Sequence, residues 1–302
     1  MVGKDTSICH PGPVLGPPPL HQDIRPARDN DPLHQPLYFP AEGLEPSKSI
    51  DRSHLVTGRI TTLTFDFWNT LYSADGGAMD VVRPRRLDTL RRMLRGFGLD
   101  PSDDQMLEAY RSGFDAYMAA WTQGLHFGAH DQVAHILNRF DLVPGPEDEG
   151  LLVETALEIE EASLLAPLEP LPGVLETVPA LASAGYRLGL ISDTSLTPGR
   201  ILKRLLAGDG LLAHFEALTF SDETGYTKPD PRMFEQTLAP LGAGPAEAAH
   251  VGDTPRTDIA GAKDLGMVAI RCAGAVDHPE PPEADFVIRD HRELSAILER
   301  LG

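Results

Sequence analysis

Apolar side chains in the first 55 or so residues recur at neither the helical nor the strand period. Ten prolines fall in this stretch, among them Pro11, Pro13 and the run Pro17-Pro18-Pro19. Residues 1–58 therefore read as a disordered leader of polyproline II character. The proline run has the form of a ligand for an aromatic groove, but no basic residue flanks it closely. A regular pattern begins at Ile60-Thr61-Thr62-Leu63-Thr64-Phe65-Asp66, a β-branched and aromatic run that alternates until it meets an acid and predicts a strand.

From about 80 to 165 the period becomes helical. Leu87, Leu90 and Leu94 stand at i, i+3 and i+7 of an amphipathic segment, 83–95, and Ser102 with Gln105 forms a capping box for a helix through Tyr110, Phe114 and Tyr117. Val133, Ile136, Leu137 and Phe140 mark a third helix and residues 151–165 a fourth; no strand is expected in this block. Pro167, Pro170 and Pro172-Gly173 punctuate the return to alternation. Helices 174–184, 198–207, 231–241 and 257–266 then alternate with strands 186–192, 217–221, 249–252 and 268–272, the pattern of a doubly wound, Rossmann-like parallel sheet. The expected organisation is an α/β core of 59–73 and 171–302, split after its first strand by an all-α cap, 74–170.

Composition narrows the partners. The 302 residues carry 45 acidic and 26 basic side chains, a formal net charge of −19, whereas nucleic acids and anionic membranes both select a basic footprint. The expectation is a cytoplasmic enzyme with neither as partner: no apolar run approaches membrane-spanning length, the first residues lack an apolar h-region, and two cysteines, Cys9 and Cys272, do not make a disulfide scaffold. Oligomeric state is not legible.

Open parallel sheets bind ligands at the carboxyl ends of their strands, near the point where strand order reverses. The expected strand ends carry Asp66, Ser192, Lys228 shortly after the third strand, and Asp253. Each alone is commonly a cap, a turn residue or a solvated lysine; four together at one edge suggest a site.

The segments FDFWNTLY (65–72), LISDTS (190–195), YTKPDPRMF (226–234) and HVGDTPRTDIAGAKDLGM (250–267) resemble, in order and placement, the four motifs of the haloacid dehalogenase-like hydrolases. The inserted helical block resembles the cap of the subfamily whose insert follows the first motif. The resemblance covers about residues 59–302. It implies Asp66 as a nucleophile that forms a covalent ester, and Mg²⁺ held by Asp66, the backbone carbonyl of Trp68 and Asp253, with Asp258 as a further ligand or an orienter. It implies Thr70 and Ser192 as hydrogen-bond donors to the transferring group, and Lys228 as the charge offsetting phosphate and clustered acids. Asn69, where glycine is usual, suggests left-handed backbone, which Asn tolerates.

One position departs from that pattern. The family's phosphatases place a second Asp two residues after the nucleophile, to protonate the leaving group and then activate water; here Trp68 stands there and does neither. The first motif thus looks like that of the 2-haloacid dehalogenases, which need no such acid but lack the metal-binding acids of the last motif. The expectation is a Mg²⁺-dependent hydrolase of small phosphate esters or anhydrides, weakened where the leaving group needs a proton. Metal-free 2-haloacid dehalogenation and a weakly active or inactive binding protein are the alternatives.

The remaining candidates read as structural. Arg83, Arg85, Arg86, Arg91, Arg92 and Arg95 read as a solvated helix face, with presentation of a guanidinium to an anionic substrate as the alternative. His126, His130 and His135 lie in the helical block, where His130 and His135 do not make an i, i+4 pair and no zinc site is expected; His250 reads as a packed strand residue, and Asp193 as a cap for the following helix. Tyr110, Phe114, Tyr117 and Trp121 read as cap core, with substrate contact by some of them as the alternative, and Cys272 as an inert buried thiol. Cap movement about the joining segments 72–78 and 166–173, with Gly76 and Gly77 as hinge points, would gate water from the site.

Overall fold

The computed structural model describes residues 59–73 and 76–302; the leader, with Cys9 and its proline run, lies outside the described residues. In chain order the elements are β1 (Thr62–Phe65), β2 (Tyr72–Ser73), α1 (Gly76–Gly96), α2 (Asp103–Thr122), α3 (Ala129–Arg139), α4 (Glu149–Glu161), β3 (Glu169–Pro170), α5 (Val174–Ser183), β4 (Arg187–Ser192), α6 (Gly199–Gly208), β5 (Ala217–Phe220), α7 (Ser221–Thr224), α8 (Pro231–Leu238), β6 (Ala248–Gly252), α9 (Ala260–Leu265), β7 (Val268–Cys272), β8 (Phe286–Ile288) and α10 (Leu294–Leu301). Among the described residues six strands form one parallel sheet in the order β5-β4-β1-β6-β7-β8. The first strand is therefore central: the chain runs outward from it on one side through β4 and β5, then returns to build the other side through β6, β7 and β8. That reversal opens a crevice beyond the carboxyl ends of β1, β4 and β6.

Period-two alternation sorts the central strands between two faces. Leu63, Phe65, Ala249 and Val251 pack with Val174 and Val178 of α5, Leu202 and Leu206 of α6, and Leu294 and Leu298 of α10. On the other face Met233, Phe234 and Leu238 of α8 and Ala262 of α9 pack against Ile191, Ala248 and Ala269. Thr64 and His250 share that second face, their side chains hydrogen-bonded at 2.8 Å.

The inserted helices build a core of their own from Leu90, Met93 and Leu94 of α1, Met106 and Tyr110 of α2, Val133, Ile136 and Leu137 of α3, and Ala156 and Ile159 of α4. The capping box is formed: the backbone N–H of Gln105 donates to Ser102 Oγ, and that of Ser102 to Gln105 Oε1. α1 begins earlier than its apolar stripe suggested, at Gly76, and continues through Pro84. Gly76 and Gly77 thus lie in a helical first turn. α4 passes into a 3₁₀ turn, Ala162–Leu165. Where the insert leaves and rejoins the core, β2 and β3 pair antiparallel, Tyr72 with Pro170 and Ser73 with Glu169.

The row of arginines on α1 is not uniformly solvated. Arg86 is 3% exposed. Its guanidinium donates to the carbonyls of Ile159 and Leu196 and to Ser163 Oγ at 2.7–3.1 Å, tying the helical block to the loop after β4. A charge so buried is tolerated because carbonyl and hydroxyl oxygens receive its protons. Arg91, Arg92 and Arg95 do lie at the surface, paired with Asp103, Glu158 and Asp100. Among the described residues, no helix is long and apolar enough to cross a membrane.

His291, just before α10, is buried with its ring stacked on Phe65, centroids 6.3 Å apart. Burial lowers its pKa from 6.5 to about 4. As pH falls below 6.5 the unfolded chain takes up a proton that the folded chain refuses, so stability present above 6.5 is lost as pH falls towards 4. The loss amounts to about 3 kcal/mol. Denaturant midpoints are expected to drop across this window, and His291→Leu to flatten the drop; an unaltered pH slope in the variant would contradict the assignment.

Candidate active site

The crevice at the carboxyl end of the sheet is a cleft of about 430 Å³, its open mouth included, lined by Asp66, Trp68, Asn69, Tyr117, Trp121, Asp193, Lys228, Asp253, Thr254, Thr257 and Asp258. Asp66 immediately follows β1, and its backbone N–H donates to the Val251 carbonyl of β6. The chain then folds back tightly: the Phe67 carbonyl accepts from the N–H groups of Leu71 and Tyr72, and Asn69 takes φ +53°. This left-handed residue is the one anticipated, and it lines the cleft.

Asp253 and Asp258 come from the far side of the reversal. Asp253 follows β6, and a π turn over Pro255–Ile259 leads into α9 and places Asp258 behind it. Gly252 makes the approach possible, since a Cβ there would lie 2.3 Å from Asp258 Cγ. One ligand oxygen from each of Asp66, Asp253 and Asp258 lies within 4.8 Å of the others.

Lys228 closes the constellation from beneath. It is 2% exposed, and its Nζ donates to Asp66 Oδ1 at 2.6 Å, Asp258 Oδ1 at 2.6 Å and the Ile191 carbonyl at 3.0 Å. An ammonium has three protons, and all three are committed. Lys228 therefore neutralises and positions carboxylates; contact with a phosphate oxygen requires it to release one of these partners. Burial alone would lower its pKa, but Asp258 and Asp66 outweigh burial and hold the proton firmly.

The carboxylates divide by environment. Asp258 accepts from Lys228, from His250 Nε2 at 3.1 Å and from the Thr254 N–H at 3.0 Å. Burial pushes it up, yet Lys228 and His250 prevail and hold it well below the usual carboxylate range. Burial pushes Asp66 up to about 7, Lys228 opposing and Asp258 adding to the rise. Asp253 is driven well above its ordinary value by burial and by repulsion from Asp258 and Asp66. Its Oδ1 accepts from Thr254 Oγ1, while Oδ2 is buried with no partner among the described residues. Three acids against one ammonium, with an orphaned carboxylate oxygen among them, form a set of hard oxygen donors that suits a divalent cation. Asp258, its oxygens already spent, fits the part of orienter better than that of ligand.

Thr70 and Ser192 are fully buried, and neither is among the cleft-lining residues. The Thr70 hydroxyl has no hydrogen-bond partner among the described residues, whereas Ser192 Oγ donates to the Asp193 carbonyl at 3.2 Å.

Two readings from the sequence need correction. Asp193 caps no helix: Oδ2 accepts from Trp121 Nε1 at 2.9 Å and Oδ1 from the Lys228 backbone N–H at 2.9 Å, so it joins the cap to the loop that carries Lys228. Asp222 instead receives the Gly199 N–H at the start of α6. Tyr117 and Trp121 are not cap interior; they face the cleft from α2, while Tyr110 does belong to the cap's core. His250 is a packed strand residue as expected, but it also bridges Thr64 and Asp258. Arg256, which the sequence reading passed over, stacks on Trp121 with its guanidinium carbon 3.7 Å from the ring centroid. Its place inside the last motif was the one available signal. Cys272 is buried, and burial pushes its thiol up to about 12. The acid triad is the metal-competent cluster among the described residues, and the cap histidines form none.

The family model for haloacid dehalogenase-like hydrolases matches residues 60–266. A glyceraldehyde 3-phosphate phosphatase of Methanopyrus kandleri is 29% identical over 250 residues, 80% of this chain and 99% of that protein. A haloacid dehalogenase-like phosphatase structure from Thermococcus onnurineus is 25% identical, with a TM-score of 0.55 over 79% of this chain and 98% of that one. A 2-haloacid dehalogenase from Pseudomonas syringae superposes with a TM-score of 0.59 at 24% identity, covering 80% of this chain and all of that one; this likeness is one of fold. A match over more than two thirds of the chain, carried by the residues gathered at the crevice, places the protein among the haloacid dehalogenase-like hydrolases.

Proposed function

We propose that the protein is a Mg²⁺-dependent hydrolase of small phosphate esters or anhydrides that works through a covalent aspartyl-phosphate on Asp66. The observation that carries this reading is the convergence of Asp66, Asp253 and Asp258 within 4.8 Å, with Lys228 serving only two of them. A metal-free dehalogenase has no use for the added negative charge, whereas a divalent cation offsets it. The likeness to a glyceraldehyde 3-phosphate phosphatase points the same way.

Asp66, the carbonyl of Trp68 and Asp253 would hold the cation, with Asp258 orienting the set. When bound, Mg²⁺ supplies charge neutralisation for the phosphoryl oxygens and fixes their position. Phosphoryl transfer needs chiefly positioning and charge compensation. Asp66, relieved of its proton as the site gains positive charge, attacks phosphorus, and its carboxylate oxygen forms the new P–O bond as the bond to the leaving group breaks. Thr70, whose hydroxyl is unspent, and Ser192 are assigned as donors to the transferring group. Residues 74–170 act as the cap, and Tyr117 and Trp121 exclude water until the ester has formed. In the second step water attacks phosphorus and Asp66 is regenerated.

Trp68 shapes both steps. It lines the cleft half-buried, packed edge-on against Phe67 with centroids 5.0 Å apart, and its indole offers neither acid nor base. General acid–base help is worth roughly 10²–10⁴-fold. Esters with poor leaving groups lose that factor on Asp66 phosphorylation, and every substrate loses it on hydrolysis of the aspartyl-phosphate.

Trp68 beside Asp66 also favours a second reading, carbon–halogen hydrolysis of a small 2-haloacid, since halide departs without a proton. Halide release that persists in EDTA would carry that reading and remove the first.

Two outcomes are expected. Phosphate release from p-nitrophenyl phosphate and acetyl phosphate requires Mg²⁺, stops with EDTA and falls at least about 10³-fold in Asp66→Asn; equal rates in the folded variant would overturn the nucleophile. Trp68→Asp raises kcat/KM, which reports the phosphorylation of Asp66, about 10²-fold for alkyl phosphates, and more than for aryl phosphates. Equal gains on both classes would contradict the role given to this position.

A further inference from the structure

The π turn that orients Asp258 also carries a cation for which the proposed reaction has no use. Arg256 lies between Thr254 and Thr257, both of which line the cleft, and its guanidinium covers the face of Trp121, which lines it from the cap. Stacking uses the plane of the guanidinium and leaves its edge. On that edge Nη2 is buried and has no hydrogen-bond partner among the described residues. Asp193, the carboxylate acting most strongly on Arg256, is already committed: one oxygen takes the Trp121 indole N–H and the other the Lys228 backbone N–H. A partly buried guanidinium with an unspent donor is an unfavourable arrangement unless something arrives to receive that donor.

We infer that Arg256 is a specificity residue: its unspent edge receives a second oxyanion, carboxylate or phosphate, carried on the leaving group of a small phosphate ester bound with its phosphoryl group at Asp66. This rests on the phosphatase reading above. The planar fork of Arg suits both oxyanions, and stacking on Trp121 fixes its plane in advance, so little side-chain freedom is lost on binding. The enclosed part of the cleft is small, about 60 Å³, which limits the leaving group to few heavy atoms. Trp121 belongs to the cap and Arg256 to the core, so the pair assembles only when cap and core meet. A substrate with two anionic ends would be held by the core's acid-and-cation site at one end and at this junction by the other.

The test compares phosphate release from three esters: 2-phosphoglycolate, with a carboxylate on the leaving group; 1,2-ethanediol bisphosphate, with a second phosphate; and ethyl phosphate, with neither. The wild type is expected to favour one or both doubly anionic esters in kcat/KM by about tenfold to 100-fold. Whichever is favoured tells carboxylate from phosphate. In Arg256→Gln the ratio to ethyl phosphate collapses towards one, chiefly through KM, and Arg256→Lys restores part of it. An equal decline on all three esters marks a structural arginine and overturns the inference. So does a wild type without preference, a result that needs no variant to fold. Acetyl phosphate separates the two failures: wild type active on it but indifferent among the esters removes the role of Arg256 alone, whereas no release from any compound removes the phosphatase reading as well.

Discussion

The site depends on the ammonium of Lys228, held at the floor of the crevice between Asp66 and Asp258 at 2.6 Å from each. Charges of both signs are out of water here, and a buried pair persists only where hydrogen bonds use every donor and the like charges are compensated. The chain meets that condition in layers. The Ile191 carbonyl takes the third proton, Asp193 pins the lysine's backbone, His250 and Thr254 bind Asp258, and Thr64 binds His250 in turn. Three strands and the turn after β6 are thereby locked in register around one cation. Asp253 is left with an oxygen unserved, a hard donor of the kind the proposed divalent cation would take.

The same network joins fold to cap. Asp193 links the loop of Lys228 to the indole N–H of Trp121 in α2, Arg256 stacks on a face of that indole, and Arg86 fastens α1 and α4 to the loop after β4. The inserted helices and the site are thereby coupled: Trp121 of α2 touches both the Asp193 carboxylate and the Arg256 guanidinium. Leu196 of the loop after β4 also packs against the apolar core of the inserted helices, so the junction is apolar as well as polar.

Much of this was legible in the sequence because the sheet imposes strong local rules. Asp66 and Asp253 stand where alternating apolar runs end, and a parallel sheet delivers such positions to one edge. The capping box at Ser102 and the left-handed Asn69 were equally local. Other features were invisible for definable reasons. β2 and β3 have two residues each and β8 three, too short to show a period. Arg86 sits in a row of six arginines, and nothing in the row tells the one whose donors meet buried carbonyls from those that meet solvent. Tyr117 and Trp121 obey the helical spacing of core residues, because the face turned to a cleft and the face turned to a core carry the same period. Asp193 resembles a helix cap until the fold brings Trp121 and Lys228 to its two oxygens.

In the proposed reaction Asp66 carries the phosphoryl group, and Trp68 makes that intermediate directly observable. With a good leaving group the first step needs no acid, whereas the second lacks a base, so the acyl phosphate should accumulate. Rapid mixing of the Mg²⁺-loaded enzyme with p-nitrophenyl phosphate should give a burst approaching one nitrophenolate per site, and borohydride trapping should locate the modification at Asp66. Steady turnover with neither a burst nor label at Asp66 would rule out Asp66 as the nucleophile.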